Sequence, residues 1–267
     1  MNTPRIGNMP YLQNIEGGRL AGQPLAFAHR GFAPNGEENT IKAFQSATDL
    51  GFGYLETDVH TSKDGVLMVF HDETLERLAK VPGSINDYSL EELKNFRVAG
   101  EKIPTFEELL LTFPNTYFNI DLKNRESGPH LAALIEKHEA HNRVLIASFT
   151  GSHRVVAQKM LKHPVATSPG FLGVAAATVL SKISSFPRRG LASFSALQVP
   201  EYHGRIRVVN RNFVTKAHDL GLQVHVWVIN EASDMHRLLD LGVDGIMSDR
   251  ADLLAKVMHE RGHWPQD

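Results

Sequence analysis

The chain has 267 residues, 42% of them hydrophobic and 22% charged, with 28 Lys and Arg against 30 Asp and Glu and no cysteine. That is an ordinary globular balance, and the length suits an α/β barrel, which routinely uses about 200–250 residues as one domain. A net charge of −2 excludes a sequence-independent grip on nucleic acid, which needs a dense basic face; the missing thiols exclude disulfides, thiolate nucleophiles and Cys-ligated metals.

Residues 1–23 read as an irregular arm, with several glycines and prolines, no periodicity and no apolar signal region. Residues 25–28 form a short apolar run ending at His29, and residues 41–50 carry apolar Ile41, Ala43, Phe44, Ala47 and Leu50 at helical spacing, closed by Gly51. Residues 54–59 and 66–70 read as strands joined through Lys63-Asp64-Gly65, a hairpin turn signal. Further strands are expected at 117–122, 144–149, 165–167, 196–199, 223–229 and 245–248. Helices are expected at 105–112, 129–140, 151–162, 172–183, 210–220, 231–241 and 251–260. The longest apolar run, 171–180, has ten residues, about half a membrane-spanning helix, so the expectation is a soluble, cytoplasmic protein with no transmembrane segment.

Strands alternating with helices imply a parallel sheet with helical crossovers. Nine strands less the return arm 66–70 leave eight, and eight βα units close into a TIM (βα)8 barrel, with a β-hairpin and a small insertion, about 72–104, after the second strand. The barrel domain is expected over 24–262. An open doubly wound sheet is the alternative, but it wants a glycine-rich phosphate loop after the first strand, and Gly31-Phe32-Ala33-Pro34 does not supply one.

Functional groups of a barrel lie at the C-terminal ends of its strands. His29 and Arg30 close the first strand, Glu56 and Asp58 lie in the second, His71 and Asp72 close the return arm, and Asp121 and Lys123 end the next barrel strand. Glu56 and Asp58 are two apart and therefore share a face. Two inward carboxylates are costly unless a cation sits between them, and oxygen-only ligands select Mg²⁺ or Ca²⁺. Asp121 could add a third oxygen, although Asp121 and Lys123 also share a face and could simply pair. A turn centred on Lys63-Asp64 places residues summing to about 127 opposite each other, within a residue or two, so Glu56 faces His71. Two histidines beside a cation, with Arg30 next to one of them, suit phosphoryl chemistry. Any one of the 14 histidines is usually a surface or structural residue, and Trp227 is by default core. It is the conjunction at successive strand ends that points to a site.

Ala28-His29-Arg30-Gly31, Glu38-Asn39-Thr40, Glu56-Thr57-Asp58-Val59, Phe70-His71-Asp72 and Asn119-Ile120-Asp121-Leu122-Lys123, in this order, resemble the motifs of the glycerophosphodiester phosphodiesterases. Ser148-Phe149, Leu197-Gln198-Val199-Pro200, Val226-Trp227 with Asn230, and Asp244-Gly245-Ile246-Met247-Ser248-Asp249 continue the likeness, which spans about 25–260. The resemblance implies a phospholipase-C-like barrel that hydrolyses a small glycerophosphodiester to an alcohol and sn-glycerol 3-phosphate. It implies one divalent cation on Glu56, Asp58 and Asp121, His29 and His71 as the acid/base pair, and Arg30 on the phosphate. Glu38 and Asn39 would buttress the His29-Arg30 loop, Lys123 would lie in the phosphate pocket, and Trp227 would line the glycerol side. Asp121 stands where the family usually has Glu, Val228 where Thr usually follows the tryptophan, and Ser248 where Thr is more usual.

Two other readings compete. One is a lysophospholipase-D-type activity on a substrate that keeps one acyl chain, with Phe186, Leu191 and Phe194 of the 184–197 loop supplying an apolar groove; packing is the favoured reading of the same side chains, because apolar loop residues are commonly just buried. The other is a catalytically silent barrel used as a binding module. No serine or threonine stands beside a histidine in these motifs, so the nucleophile is expected to be water or a hydroxyl of the substrate.

Overall fold

The computed structural model describes residues 9–183, 191 and 193–267. The first half runs β1 (Leu25–His29), α1 (Ile41–Asp49), β2 (Tyr54–Thr61), β3 (Leu67–Val69), α2 (Glu76–Ala79), α3 (Leu90–Leu93), β4 (Arg97–Val98), β5 (Glu101–Lys102), α4 (Phe106–Thr112) and β6 (Tyr117–Leu122). There follow α5 (Ser127–Lys137), β7 (Val144–Ala147), α6 (Gly151–Met160), β8 (Ala166–Thr167), α7 (Phe171–Ile183), β9 (Ala196–Pro200), β10 (Tyr202–His203) and β11 (Ile206–Arg207). The chain ends with α8 (Arg211–His218), β12 (Gln223–Trp227), α9 (Ala232–Leu241), β13 (Gly245–Ser248) and α10 (Ala251–Glu260). The strands pair in the order β8-β7-β6-β2-β1-β13-β12-β9, with every pairing along that path parallel. Between the outermost two, Ser195 N donates to Thr167 O at 2.8 Å. This is the nearly closed eight-stranded TIM barrel that the βα alternation predicts.

Period-two alternation sorts each strand's side chains between two cores. Ala26, Ala28, Leu55, Phe118, Ile120, Ile146, Leu197, Val224 and Ile246 belong to the large cluster shared with the helices. Leu25, Phe27, Tyr54, Leu145, Ala166, Ala196 and Met247 form a second cluster. The arm closes that second core. Tyr11 and Leu12 are fully buried in it, Tyr54 Oη donates to Tyr11 O at 2.6 Å, and the Tyr54 and Tyr117 rings stack at 4.8 Å. Residues 9–23 are irregular, as the sequence suggests, but they are a packed plug rather than a loose arm. The far end of the chain is tied to the same region: the Gln266 side chain bonds Ala26 N and Pro24 O.

Boundaries move where local chemistry competes. Strand β7 stops at Ala147, because the next residue, Ser148, turns its hydroxyl to Leu122 O at 2.8 Å. Helix α5 starts earlier than expected, at Ser127, whose N–H meets Asn124 Oδ1 at 3.0 Å, and it ends before Glu139 at φ 50°. The hairpin pairs Val59 with Val69 and Thr61 with Leu67. That register sums to 128, one more than the turn predicts, so it carries Thr57 rather than Glu56 opposite His71. Residues 72–104 hold no barrel strand. They pack Leu75, Ile85, Leu93, Val98 and Ile103 against Met68 and Phe70 of the return arm, in a core of their own.

Candidate active site

Inward positions two apart climb each strand, so residues lowest in the barrel pack the plug and those highest reach the mouth. On β1 the column is Leu25, Phe27, His29; on β2 it is Tyr54, Glu56, Asp58; on β6 it is Tyr117, Asn119, Asp121, continuing to Lys123. An apolar floor thus gives way within about 10 Å of strand to ionisable groups. His29, Arg30, Glu56, Asp58, His71, Asp121, Lys123 and Trp227 all line one cleft of about 420 Å³ at that mouth. Parallel register sets Asp58 beside Asp121 and His29 beside Glu56.

Each candidate histidine is held by a carboxylate. His29 Nδ1 lies 2.6 Å from Asp249 Oδ1, and Asn230 Nδ2 donates to the other oxygen of Asp249 at 2.9 Å. His71 Nδ1 lies 2.7 Å from Asp72 Oδ1. In both rings the bond at Nδ1 sets the tautomer and leaves Nε2 for other work. Burial pulls the His29 pKa down, but the charge on Glu56 and the Asp249 hydrogen bond outweigh it, so the net shift is upward. Arg77, on α2, forks onto Asp72 at 2.6 and 2.8 Å and onto Glu38 at 2.8 and 3.2 Å. Burial opposes ionisation of Asp72 less than this arginine favours it, and the carboxyl titrates down at about 2.

The β1–α1 loop builds the next layer. Arg30 Nη1 donates to Glu38 Oε1 at 2.9 Å, and its Nε lies 3.3 Å from Asp58 Oδ2. Asn39 Nδ2 donates to Asp58 Oδ2 at 3.0 Å, and Asn39 N to Arg30 O at 3.0 Å. Arg30 and Asn39 both adopt left-handed φ, 56° and 59°, an uncommon conformation for side-chain-bearing residues that often marks a functional loop.

The carboxylates are unequally compensated. Lys123 Nζ bridges Asp58 Oδ1 and Asp121 Oδ2 at 2.7 Å each. Burial would raise Asp58, yet Lys123 and Arg30 carry it below the usual range; Asp121 is raised, burial outweighing the same ammonium. Among the described residues, Glu56 Oε2 meets the Arg30 N–H at 3.2 Å and His29 Nε2 at 3.7 Å. Burial, then repulsion from Asp58, pushes its carboxyl up to about 7. An acid so under-compensated, beside two carboxylates that share an ammonium, is electrostatically a cation site with too little positive charge, and its all-oxygen donors suit a hard divalent ion. Among the described residues, the group of three possible ligands whose atoms lie within 4.8 Å of one another is Glu38, His71 and Asp72 rather than Glu56, Asp58 and Asp121, and there Arg77 pairs with both acids and Arg30 with Glu38.

The sequence reading assigned no role to Asp249, Asp72 or Arg77. Asp72 is signalled by adjacency to His71. Asp249 is signalled by barrel closure, since Ala28 pairs with Ser248 and the next residue along reaches His29. Nothing local marks Arg77. Leu191 and Phe194 are buried in the main core, which is the packing reading of the 184–197 loop rather than the groove, and Phe186 lies outside the described residues. The apolar side of the cleft comes instead from α7 and the β10–β11 hairpin. Phe149 stands over the mouth, its ring 5.9 Å from Lys123 Nζ and edge-on to Trp227 at 5.7 Å. The Trp227–Val228 peptide is cis.

A TIM barrel with its ionisable groups gathered at the C-terminal ends of the strands defines the class, an enzyme of the βα-barrel type. Residues 29–253 match the model of the glycerophosphoryl diester phosphodiesterase family. The chain is 37% identical over 247 residues to the "Probable glycerophosphodiester phosphodiesterase 2" of Mycobacterium tuberculosis, covering 91% of this chain and 94% of that one. It is 30% identical to the glycerophosphodiester phosphodiesterase of Caldanaerobacter subterraneus, covering 89% and 99%. Among solved structures it resembles an Oleispira antarctica phosphodiesterase in complex with the product sn-glycerol-3-phosphate, with a TM-score of 0.74 at 23% identity over 89% of this chain and 98% of that one. The chain therefore belongs to the glycerophosphoryl diester phosphodiesterase family, and it is a phosphoric diester hydrolase.

Proposed function

We propose that this enzyme cleaves glycerophosphodiesters to an alcohol and sn-glycerol 3-phosphate by metal-assisted acid/base catalysis between His29 and His71. The observation that carries the reading is the pair of imidazoles, each held at Nδ1 by a carboxylate, on one cleft with Arg30, Lys123 and three buried acids. Glu56, Asp58 and Asp121 are the residues that would hold the ion. When bound, that ion supplies charge against the phosphate oxygens and acidifies a hydroxyl beside them. Arg30 binds the phosphate. Lys123 Nζ contacts both Asp58 and Asp121, and its charge would be available to the phosphate if a cation were held by the acids.

The proton inventory follows from the residues. One imidazole takes the proton of the attacking hydroxyl as its oxygen bonds phosphorus; the other gives a proton to the departing alcohol as the second P–O bond breaks. The glycerol 2-hydroxyl is the attacking group we favour, because it already lies next to the phosphate and gains the advantage of an intramolecular reaction. A cyclic glycerol phosphate would form and water would open it, with the two imidazoles exchanging roles. Turnover of a panel of glycerophosphodiesters, with added Mg²⁺, with Ca²⁺ and after exhaustive chelation, tests the reading. Activity lost on chelation and restored by one of these ions is expected, and full activity in chelator would overturn the metal assignment. A 2-deoxy substrate that binds but is not turned over is expected; its normal hydrolysis would leave direct attack by water.

A further inference from the structure

His71 and Arg30 reach the cleft from different elements, the end of the return arm and the β1–α1 loop, yet they are joined behind it. His71 Nδ1 lies 2.7 Å from Asp72 Oδ1, and Arg77 Nη2 donates to that same oxygen at 2.8 Å. The same Nη2 donates to Glu38 Oε1 at 2.8 Å, and Arg30 Nη1 donates to that oxygen at 2.9 Å. The other guanidinium nitrogens complete both forks, Nε to Asp72 Oδ2 at 2.6 Å and Nη1 to Glu38 Oε2 at 3.2 Å. One nitrogen of Arg77 therefore stands between the oxygen that faces the imidazole and the oxygen that faces the second guanidinium. Of these five residues only His71 and Arg30 line the cleft.

The 72–104 excursion delivers Arg77. The residue sits on α2, a helix of four residues, too short to hold itself in water. Its neighbours fix it instead. Leu75, next to α2, is fully buried in the excursion's own core, and its N–H donates to Gly83 O at 2.8 Å. Lys80 Nζ donates to Arg77 O at 2.9 Å. The Arg77 side chain is 52% exposed, and ion pairs so exposed contribute little to stability. What a planar fork does fix is the direction of its partners. We infer that Arg77 is a positioning residue for two members of the site at once: through Asp72 it orients the His71 imidazole, and through Glu38 it orients the Arg30 guanidinium. The excursion is then a working part of the active site, holding proton transfer and phosphate binding in one geometry. This rests on the two-histidine reading above. Lysine in place of Arg77 would keep the charge and lose the fork, because an ammonium acts as a point charge.

The experiment measures glycerophosphocholine turnover by the full chain, with the divalent ion that supports it, in wild type, Arg77→Ala, Arg77→Lys and His71→Ala. Arg77→Ala is expected to lower kcat by about 10–100-fold and to raise KM several-fold, with the urea midpoint close to wild type. Arg77→Lys should keep the midpoint and recover little of the rate. Guanidinium ion at millimolar concentration, far below its denaturing range, should restore part of kcat to Arg77→Ala and leave wild type unchanged. In a chain carrying Asp72→Asn with Glu38→Gln, Arg77→Ala should cost about twofold or less in addition, because groups that act as a unit are not additive. Calorimetric binding of sn-glycerol 3-phosphate, weakened in Arg77→Ala, reads the Arg30 arm without turnover. Unchanged kcat and KM in Arg77→Ala, or its full loss repeated in the Asp72→Asn, Glu38→Gln chain, would overturn the inference; with His71→Ala inactive, the two-histidine reading would still stand. Weakened product binding in Arg77→Ala beside full activity in His71→Ala would uphold the placement by Arg77 and defeat the two-histidine reading instead.

Discussion

His29 and His71 arrive at the cleft by different routes, one at the end of a barrel strand and one at the end of a hairpin arm, and each is oriented by a carboxylate at Nδ1. Replacing either with alanine is expected to lower kcat by about 10²–10⁴, the contribution of a positioned acid or base, with the melting temperature within a few degrees of wild type. Near wild-type turnover in either variant would end the two-histidine mechanism. Asp249→Asn tests positioning separately. Burial lowers the His29 pKa, while Glu56 and Asp249 raise it; without the Asp249 charge the pKa falls. The limb of the pH–kcat profile belonging to His29 should therefore move to lower pH, alongside a loss in kcat on the order of 10–100-fold. A loss of rate with both limbs in place would mean that Asp249 serves the fold rather than the imidazole.

The β1–α1 loop is the element that most directly shapes the site. Thr40 caps α1 by accepting from Ala43 N at 3.2 Å, and Gly31 lies at φ 84°, where an added Cβ would sit 2.6 Å from the Ala43 carbonyl carbon and 2.8 Å from its Cβ. The close approach pins the loop to the first turn of the helix and leaves Arg30 beside Glu56 and Asp58. Gly31→Ala is expected to cost about 1–3 kcal/mol, read from the urea midpoint, and to lower kcat/KM because Arg30 is displaced with it. Unchanged stability and activity would show that the loop adapts. The hairpin is another element whose fine position matters. Lys63-Asp64-Gly65 marks the turn in the sequence, but its type sets the register, and the register falls one residue from expectation.

At the scale of the whole molecule the barrel interior changes from apolar floor to ionisable mouth, and His225 sits inside it, fully buried with its ring 4.9 Å from Phe27. Burial holds its pKa down at about 4, so the imidazole is neutral in the fold but takes a proton in the unfolded chain below about pH 6.5. The unfolded state binds the extra proton, so stability falls as pH drops from about 6.5 to about 4, by about 3 kcal/mol in all. Denaturation at several pH values should show that slope, and His225→Gln should reduce it by about one proton, ~1.4 kcal/mol per pH unit. An unchanged slope would place the acid sensitivity in other groups.

The sequence by itself determined the barrel, because eight apolar strands alternating with amphipathic helices admit few other closed layers. It also determined which polar residues end the strands, because period-two alternation puts Glu56 with Asp58, and Asp121 with Lys123, on common faces. Only the tertiary structure decided the partnerships. Asp249 meets His29 because the last strand lies beside the first, and Arg77 reaches Glu38 and Asp72 because the excursion folds back over the mouth. The plug is decided there too: 9–23 has no periodicity of its own, and its burial comes from filling the end of a barrel that other residues build. The apolar wall of the cleft was hidden for a related reason. Residues 172–183 read simply as a helix, and which of its faces looks into the cleft is set by how it packs against α8 and β9, a packing outcome that residue spacing alone does not specify.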